Sequence, residues 1–386
     1  MKKIITFFLF INVNALEINS KNAILYNMND KSIIYEKNSD EIVQIASLTK
    51  IVTAITVIEN IQDLNKEVTI TNEMLKGLNG YVKAGLKVGD KVTYLDLLYA
   101  LMLPSAGDAA QALAIATSGS IDEFSKLMNK KVSEIGVSNS KFDNPIGKDS
   151  KNNYSTAKDL SKILIYSLEN KTFKTIYNSN TYKIKSLNKE VKKTLSSYKT
   201  DTSIIKGSKT GFTYDAGLCL ASTTRLEDVD YLLITLGAEI KNENHAKDTI
   251  KIYEYYSTNY GYIDILKKDQ LLHTINVKHS RQKTYDILSK DNISLYLEKK
   301  YKNNITYKYE GIDELNRKIK KGTKLGEVKV LYEEKEIYSY DVYLEDEIKY
   351  YNYILYIGII LVFIVTIGVI KVKTKSTKKR KATKRK

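Results

Sequence analysis

Cysteine is almost missing from this 386-residue chain: Cys219 stands alone. A single thiol excludes an intrachain disulfide and a thiolate metal cluster. Histidine is nearly as scarce, and His245, His273 and His279 are scattered without ligand spacing. Zinc chemistry is therefore not expected, and nothing in the chain calls for a cofactor. Cys219, on an apolar run with no histidine near it in sequence, reads as a small core residue. Internal repeats and low-complexity linkers are missing too. Even the positive charge is mostly missing from the body of the chain. Of a formal net charge of +16, residues 371–386 supply ten Lys/Arg and no acid, and Lys2 and Lys3 supply two more. About +4 remains for everything between, too small a surplus to argue for a nucleic-acid partner.

What is present begins with two apolar segments that frame the chain. Met1-Lys2-Lys3, the run Ile4–Ile11 and the small residues Val13 and Ala15 read together as a signal peptide over residues 1–15. At the other end Ile354–Ile370 is uncharged and apolar, bordered by Tyr350, Tyr351 and Tyr353 as an interfacial belt would be. Residues 350–370 would span about 31 Å as a helix, the thickness of a bilayer core. The predicted organisation is a transmembrane helix over 350–370 and a disordered basic tail over 371–386 on the cytoplasmic side. The body is then held outside the cell membrane, on its wall side.

Between these ends the hydrophobic period changes twice. Ala23–Tyr26 and Ser32–Tyr35 read as a hairpin around Asn27–Lys31. Helices are expected at Ser47–Glu59, Tyr94–Leu103 (ended by Pro104), Asp108–Thr117, Asp122–Ile135 and Thr156–Glu169. Glu67–Thr71 and Lys91–Thr93 look extended, with glycines at 77, 80, 85 and 89 marking loops. Past residue 180, strands are expected at Thr181–Ser186, Val191–Leu195, Gly217–Thr223 and Tyr231–Leu236, followed by a helix at Ala246–Tyr256. Helices followed by paired strands indicate an α/β (α+β) domain with an antiparallel sheet, over residues 16–262. Residues 263–349, rich in short Tyr, Ile, Val and Lys strands, read as a small β-rich domain.

Three clusters carry chemistry. Ser47 and Lys50 lie three residues apart at the head of an apolar helical run, so they share a face. A serine hydroxyl needs a base, and a lysine kept neutral by apolar surroundings can be that base. Ser105, in the loop Leu103–Asp108 between two helices, offers a second hydroxyl able to relay a proton. Taken alone, a serine before a helix reads first as a helix cap. Gly207-Ser208-Lys209-Thr210-Gly211-Phe212-Thr213 offers an ammonium and a hydroxyl suited to a carboxylate. Gly211 beside them would let substrate approach the backbone.

In this order, S-x-x-K, a serine loop and K-T-G form the set found in penicillin-binding proteins and serine β-lactamases. Residues 142–147 (Phe-Asp-Asn-Pro-Ile-Gly), Tyr154–Leu160 and Lys209–Leu220 extend the similarity. Over about residues 20–260 the chain resembles the serine-type D-alanyl-D-alanine carboxypeptidases, the low-molecular-mass penicillin-binding proteins. The resemblance implies a penicillin-recognising fold with a β-rich stalk, acting on peptidoglycan stem peptides and acylated by β-lactams. It implies Ser47 as nucleophile, Lys50 as general base and Ser105 as proton relay. Lys209, Thr210 and Gly211 would bind substrate, and the backbone N–H groups of Ser47 and Phe212 would form the oxyanion hole. Two positions depart from the family pattern: Gly107 stands where the second motif usually has Asn, and Asn153 where relatives commonly have His. A D,D-endopeptidase shares the motifs, and Gly107 leaves open a protein that only binds wall peptides. A class A β-lactamase needs a deacylating glutamate, and none lies between Glu134 and Glu169.

Overall fold

A computed structural model describes residues 16–383. The leader read at residues 1–15 lies outside the described residues. The chain forms two compact units, one ending at Gly261 and one beginning at Tyr262.

The first unit is built on an antiparallel sheet. Its strands are β1 (Asn22–Asn27), β2 (Ser32–Lys37), β7 (Gly207–Thr213), β8 (Gly217–Leu226) and β9 (Val229–Ala238), in the order β2-β1-β9-β8-β7. The helices are α1 (Thr49–Asn60), α2 (Tyr94–Met102), α3 (Gly107–Ser118), α4 (Ile121–Ile135), α5 (Ala157–Glu169), α6 (Lys171–Asn178) and α7 (Asn244–Asn259). Two short ribbons, β3 (Glu67–Thr69) with β4 (Lys91–Thr93) and β5 (Thr181–Ile184) with β6 (Lys189–Lys192), complete it.

The sequence explains why the sheet is sandwiched. In β9, Leu232, Ile234 and Leu236 join the large helical core, while Thr235 and Tyr231 face Thr249 and Tyr253 of α7. Alternate residues of a strand point to opposite faces, so this strand is buried on both. β1 is likewise buried along its whole length. α1 is buried on all sides from Thr49 to Val57, as an apolar helix at the centre of a domain must be. Side-chain caps set the starts of four helices. Thr93 forms a capping box with Asp96 ahead of α2, Ser120 accepts from Glu123 N, Thr156 from Asp159 N, and Asn170 from Thr172 N and Phe173 N.

Four expectations shift. The predicted helix from Ser47 starts at Thr49, because Ala46–Leu48 forms a separate 3₁₀ turn. α6, not expected from the sequence, follows α5 directly through a shared Asn170 and buries Phe173, Ile176 and Tyr177. The strand expected over Val191–Leu195 is Lys189–Lys192, and Thr194–Ser197 is a 3₁₀ turn that buries Leu195. The segment Gly207–Thr213 is itself a strand at the sheet edge, though its two glycines and lysine hide any alternation.

The second unit contains short antiparallel strands, including a three-stranded sheet of Ile305–Gly311, Lys324–Tyr332 and Lys335–Tyr343. Its interior holds Ile275, Leu315, Leu325 and Val328. A terminal helix, Tyr353–Thr383, is exposed along its apolar length, and its best window has a mean hydropathy of 2.8. It is long and apolar enough to cross a membrane. The tail read as disordered continues this helix to Thr383, since lysines favour helix and complement the negative end of its dipole.

Candidate active site

Ser47 and Lys50 meet, although not on one helix. Ala46 takes a φ of 48°, and the turn it starts carries Ser47 to the head of α1. Lys50 Nζ donates to Ser47 Oγ over 2.8 Å and to the Ile146 carbonyl over 2.6 Å. Burial holds the Lys50 ammonium well below its ordinary pKa, and the charge of Lys209 pushes it further down. A neutral amine beside a hydroxyl is what proton abstraction requires.

Ser105 does not cap α3. The cap position is Ala106, and Ser105, at a φ of 68°, turns its hydroxyl to Lys209 Nζ, which donates to it over 2.9 Å. Lys209 is fully buried and also donates to the Thr210 carbonyl at 2.8 Å. Loss of water around it lowers its pKa to about 7. Thr210 is buried beside it, while Phe212 is 46 % exposed at the mouth. Gly211 lies against the nucleophile segment: a Cβ there would lie 3.1 Å from both Ile45 O and Ser47 N.

The sequence similarity marked residues 142–147 without assigning them a task, and the structure assigns one. Asn144 Oδ1 accepts from the backbone N–H groups of Ile146, Gly147 and Lys148. Thr53 Oγ1 donates to the Pro145 carbonyl over 2.8 Å, tying the loop to α1. The loop thereby aims the Ile146 carbonyl at Lys50. Gly147, with a φ of 89°, lies so close to the nucleophile turn that a Cβ would come within 2.0 Å of Ala46 O. An Asn-Pro pair followed by Gly is a readable turn signal. Its contact with Ser47 is a tertiary fact and is not.

Asn153 is buried behind the start of α1 and donates to Thr49 Oγ1 at 3.2 Å. Asp108 is fully engaged: its carboxylate accepts from the N–H groups of Ala84, Gly85 and Leu86. It therefore holds the loop over α3 and does not replace an amide at position 107. Cys219 lies buried in β8, with its thiol pushed up to about 12 by burial, an inert core residue. Among the described residues no group of three or more His, Cys, Asp or Glu is placed to hold a metal.

Comparison with known proteins agrees with this geometry. The family model described as D-alanyl-D-alanine carboxypeptidase matches residues 10–240, more than half of the chain. The chain belongs to the D-alanyl-D-alanine carboxypeptidase family. A second model, the C-terminal domain of penicillin-binding protein 5, matches residues 260–350. The D-alanyl-D-alanine carboxypeptidase DacF of Bacillus subtilis is 28 % identical over 322 residues, covering 80 % of each chain. A D-alanyl-D-alanine endopeptidase of Escherichia coli is 29 % identical over 246 residues, covering 63 % of this chain and 78 % of its own. Among solved structures, the Streptomyces K15 DD-transpeptidase superposes with a TM-score of 0.58 at 30 % identity, over 62 % of this chain and 97 % of its own. The D-alanyl-D-alanine carboxypeptidase DacD of Francisella tularensis shares the fold more widely, with a TM-score of 0.68 at 21 % identity over 87 % and 95 %. The chain is thus a serine peptidase of this family, with an α/β catalytic unit followed by a β-rich one.

Proposed function

We propose that the protein removes the terminal D-alanine from peptidoglycan pentapeptides through an ester on Ser47. The observation that carries this reading is the buried Lys50, its pKa held well below the ordinary value by burial, at 2.8 Å from Ser47 Oγ, in a site shared with the Ser105–Lys209 pair. Lys50 takes the Ser47 proton as Oγ attacks the carbonyl of the penultimate D-alanine. The developing oxyanion is received by the N–H groups of Ser47 and Phe212, a contact whose loss costs about 2.7–4 kcal/mol in related chemistry. The C–N bond then breaks as Ser105 gives its hydroxyl proton to the departing amine of D-alanine and takes up the proton that Lys50 had accepted, which returns Lys50 to the neutral amine. Lys209, as a cation, and Thr210 hold the terminal carboxylate of the substrate. Water hydrolyses the ester, releasing the shortened peptide and restoring the Ser47 hydroxyl. A β-lactam, opened by the same attack, keeps its leaving group tethered and so stays on Ser47.

The terminal helix is read as a single membrane anchor, with the catalytic unit on the wall side and the basic end in the cytoplasm. The test of the activity is release of free D-alanine from a pentapeptide ending in D-Ala-D-Ala, with Ser47→Ala as control. Release by the wild type alone supports the reading. Cleavage of a cross-linked dimer without release from the pentapeptide would turn it into an endopeptidase.

A further inference from the structure

Position 107 has no side chain, and the space beside it is already taken. A Cβ on Gly107 would lie 3.2 Å from Tyr81 Cβ, 3.5 Å from Val82 O and 3.7 Å from Ile146 Cγ2. The segment carrying Tyr81 is fastened there, since Gly107 N donates to Val82 O at 2.7 Å and Asp108 holds the backbone of residues 84–86. Through its Cβ, Tyr81 thus stands beside one segment that builds the site, the loop of Ser105, and borders the same space as a second, the loop whose Ile146 carbonyl receives Lys50. It also feels a third. Its phenol pKa is raised, first by burial and then by the charge of Asp149. Thr213, at the end of the K-T-G strand, donates to Asp149 Oδ1 over 2.9 Å. The ring is only partly buried, and among the described residues its hydroxyl has no hydrogen-bond partner.

The geometry points to Tyr81, packed by its Cβ against the bare backbone of Gly107, as a substrate-binding residue whose phenol hydrogen-bonds a backbone amide of the bound peptide or β-lactam. A phenol can donate to an amide carbonyl and accept from an amide N–H, so it serves for a carboxamide in both respects. Gly107 is then the partner that leaves room for the Tyr81 Cβ. This inference rests on the acyl-transfer reading of the site, but not on which peptide is cleaved.

Two arms test it in the full-length chain, each read by the rate of acylation by labelled penicillin and by kcat/KM for pentapeptide. Tyr81→Phe keeps the ring and removes the hydroxyl. Loss of one uncharged hydrogen bond to substrate should lower both rates by about threefold to twelvefold with Tm unchanged. The second arm compares Gly107→Asn, Tyr81→Gly and the pair. A side chain at position 107 should crowd Tyr81 Cβ, which only glycine removes, so the double variant should acylate faster than Gly107→Asn alone. The proposal needs both results. A change below threefold in Tyr81→Phe overturns it, and so does a double variant no faster than Gly107→Asn. Should the wild type take up penicillin yet release no D-alanine, the carboxypeptidase reading fails, while the acylation rates still decide the role of Tyr81.

Discussion

Lys209 Nζ donates to Ser105 Oγ across 2.9 Å, joining residues 104 positions apart. In the proposed mechanism the serine relay and the carboxylate clamp then form one unit: the cation that would bind substrate also orients the hydroxyl that would serve the leaving amine. Ser105→Ala should slow acylation by about 10²–10⁴-fold, the range for losing a positioned proton donor. Lys209→Ala should instead raise KM for a peptide with a free carboxylate more than for its amide. Steady-state kinetics on both substrates checks this, and an equal rise in KM for the acid and the amide in Lys209→Ala would contradict the carboxylate clamp.

The pH profile should be a bell. Lys50 must be neutral to act, and burial sets its pKa well below the ordinary value, so the rising limb should lie well below the pH at which an exposed lysine titrates. Lys209 must be charged to bind carboxylate, so kcat/KM for peptide should decline as pH rises past about 7. Lys209→Arg, which keeps its charge at any working pH, should move that decline upward. A profile of kcat/KM flat from pH 6 to 9 contradicts these assignments.

Gly147→Ala should abolish acylation. The added methyl would meet Ala46 O at 2.0 Å, and that carbonyl belongs to the turn that presents Ser47. Circular dichroism separates a local fault from misfolding, and labelled penicillin reports the site. Normal labelling of Gly147→Ala would show that the two loops are not interlocked.

His245 should make the catalytic unit acid-sensitive. It is buried, its Nε2 lies 3.0 Å from the Tyr198 hydroxyl, and burial lowers its pKa to about 4 in spite of Glu243 and Asp248. The unfolded chain binds a proton near 6.5 and the folded chain near 4. The stability from a neutral His245 is thus intact above pH 6.5 and lost as pH falls toward 4, by up to about 3 kcal/mol. His245→Phe should flatten the fall of Tm over that window. An unchanged slope would assign the acid sensitivity elsewhere.

Much of this was legible in the residues, and the exceptions share a cause. Apolar periodicity marks α1 to α5, and the spacing of serine and lysine marks the chemistry. Yet Phe173, Ile176 and Tyr177 also carry a helical pattern, and α6 is hidden because it is short and abuts α5. The K-T-G strand shows no alternation because Gly211 packs against the nucleophile turn and Gly207 against Tyr177 and Asn178 of α6. Ser105 looks like a cap until the fold brings Lys209 to it. Local rules find elements, whereas these features exist only through distant contacts.

The central claim is that Ser47 is the acylated residue of a working site. Intact-mass measurement of the full-length chain after exposure to penicillin, followed by peptide mapping, tests it most directly. One penicillin per chain, on the peptide carrying Ser47 and absent from Ser47→Ala, is the predicted result. A folded wild-type chain without adduct, or an adduct that persists in Ser47→Ala, would contradict the account.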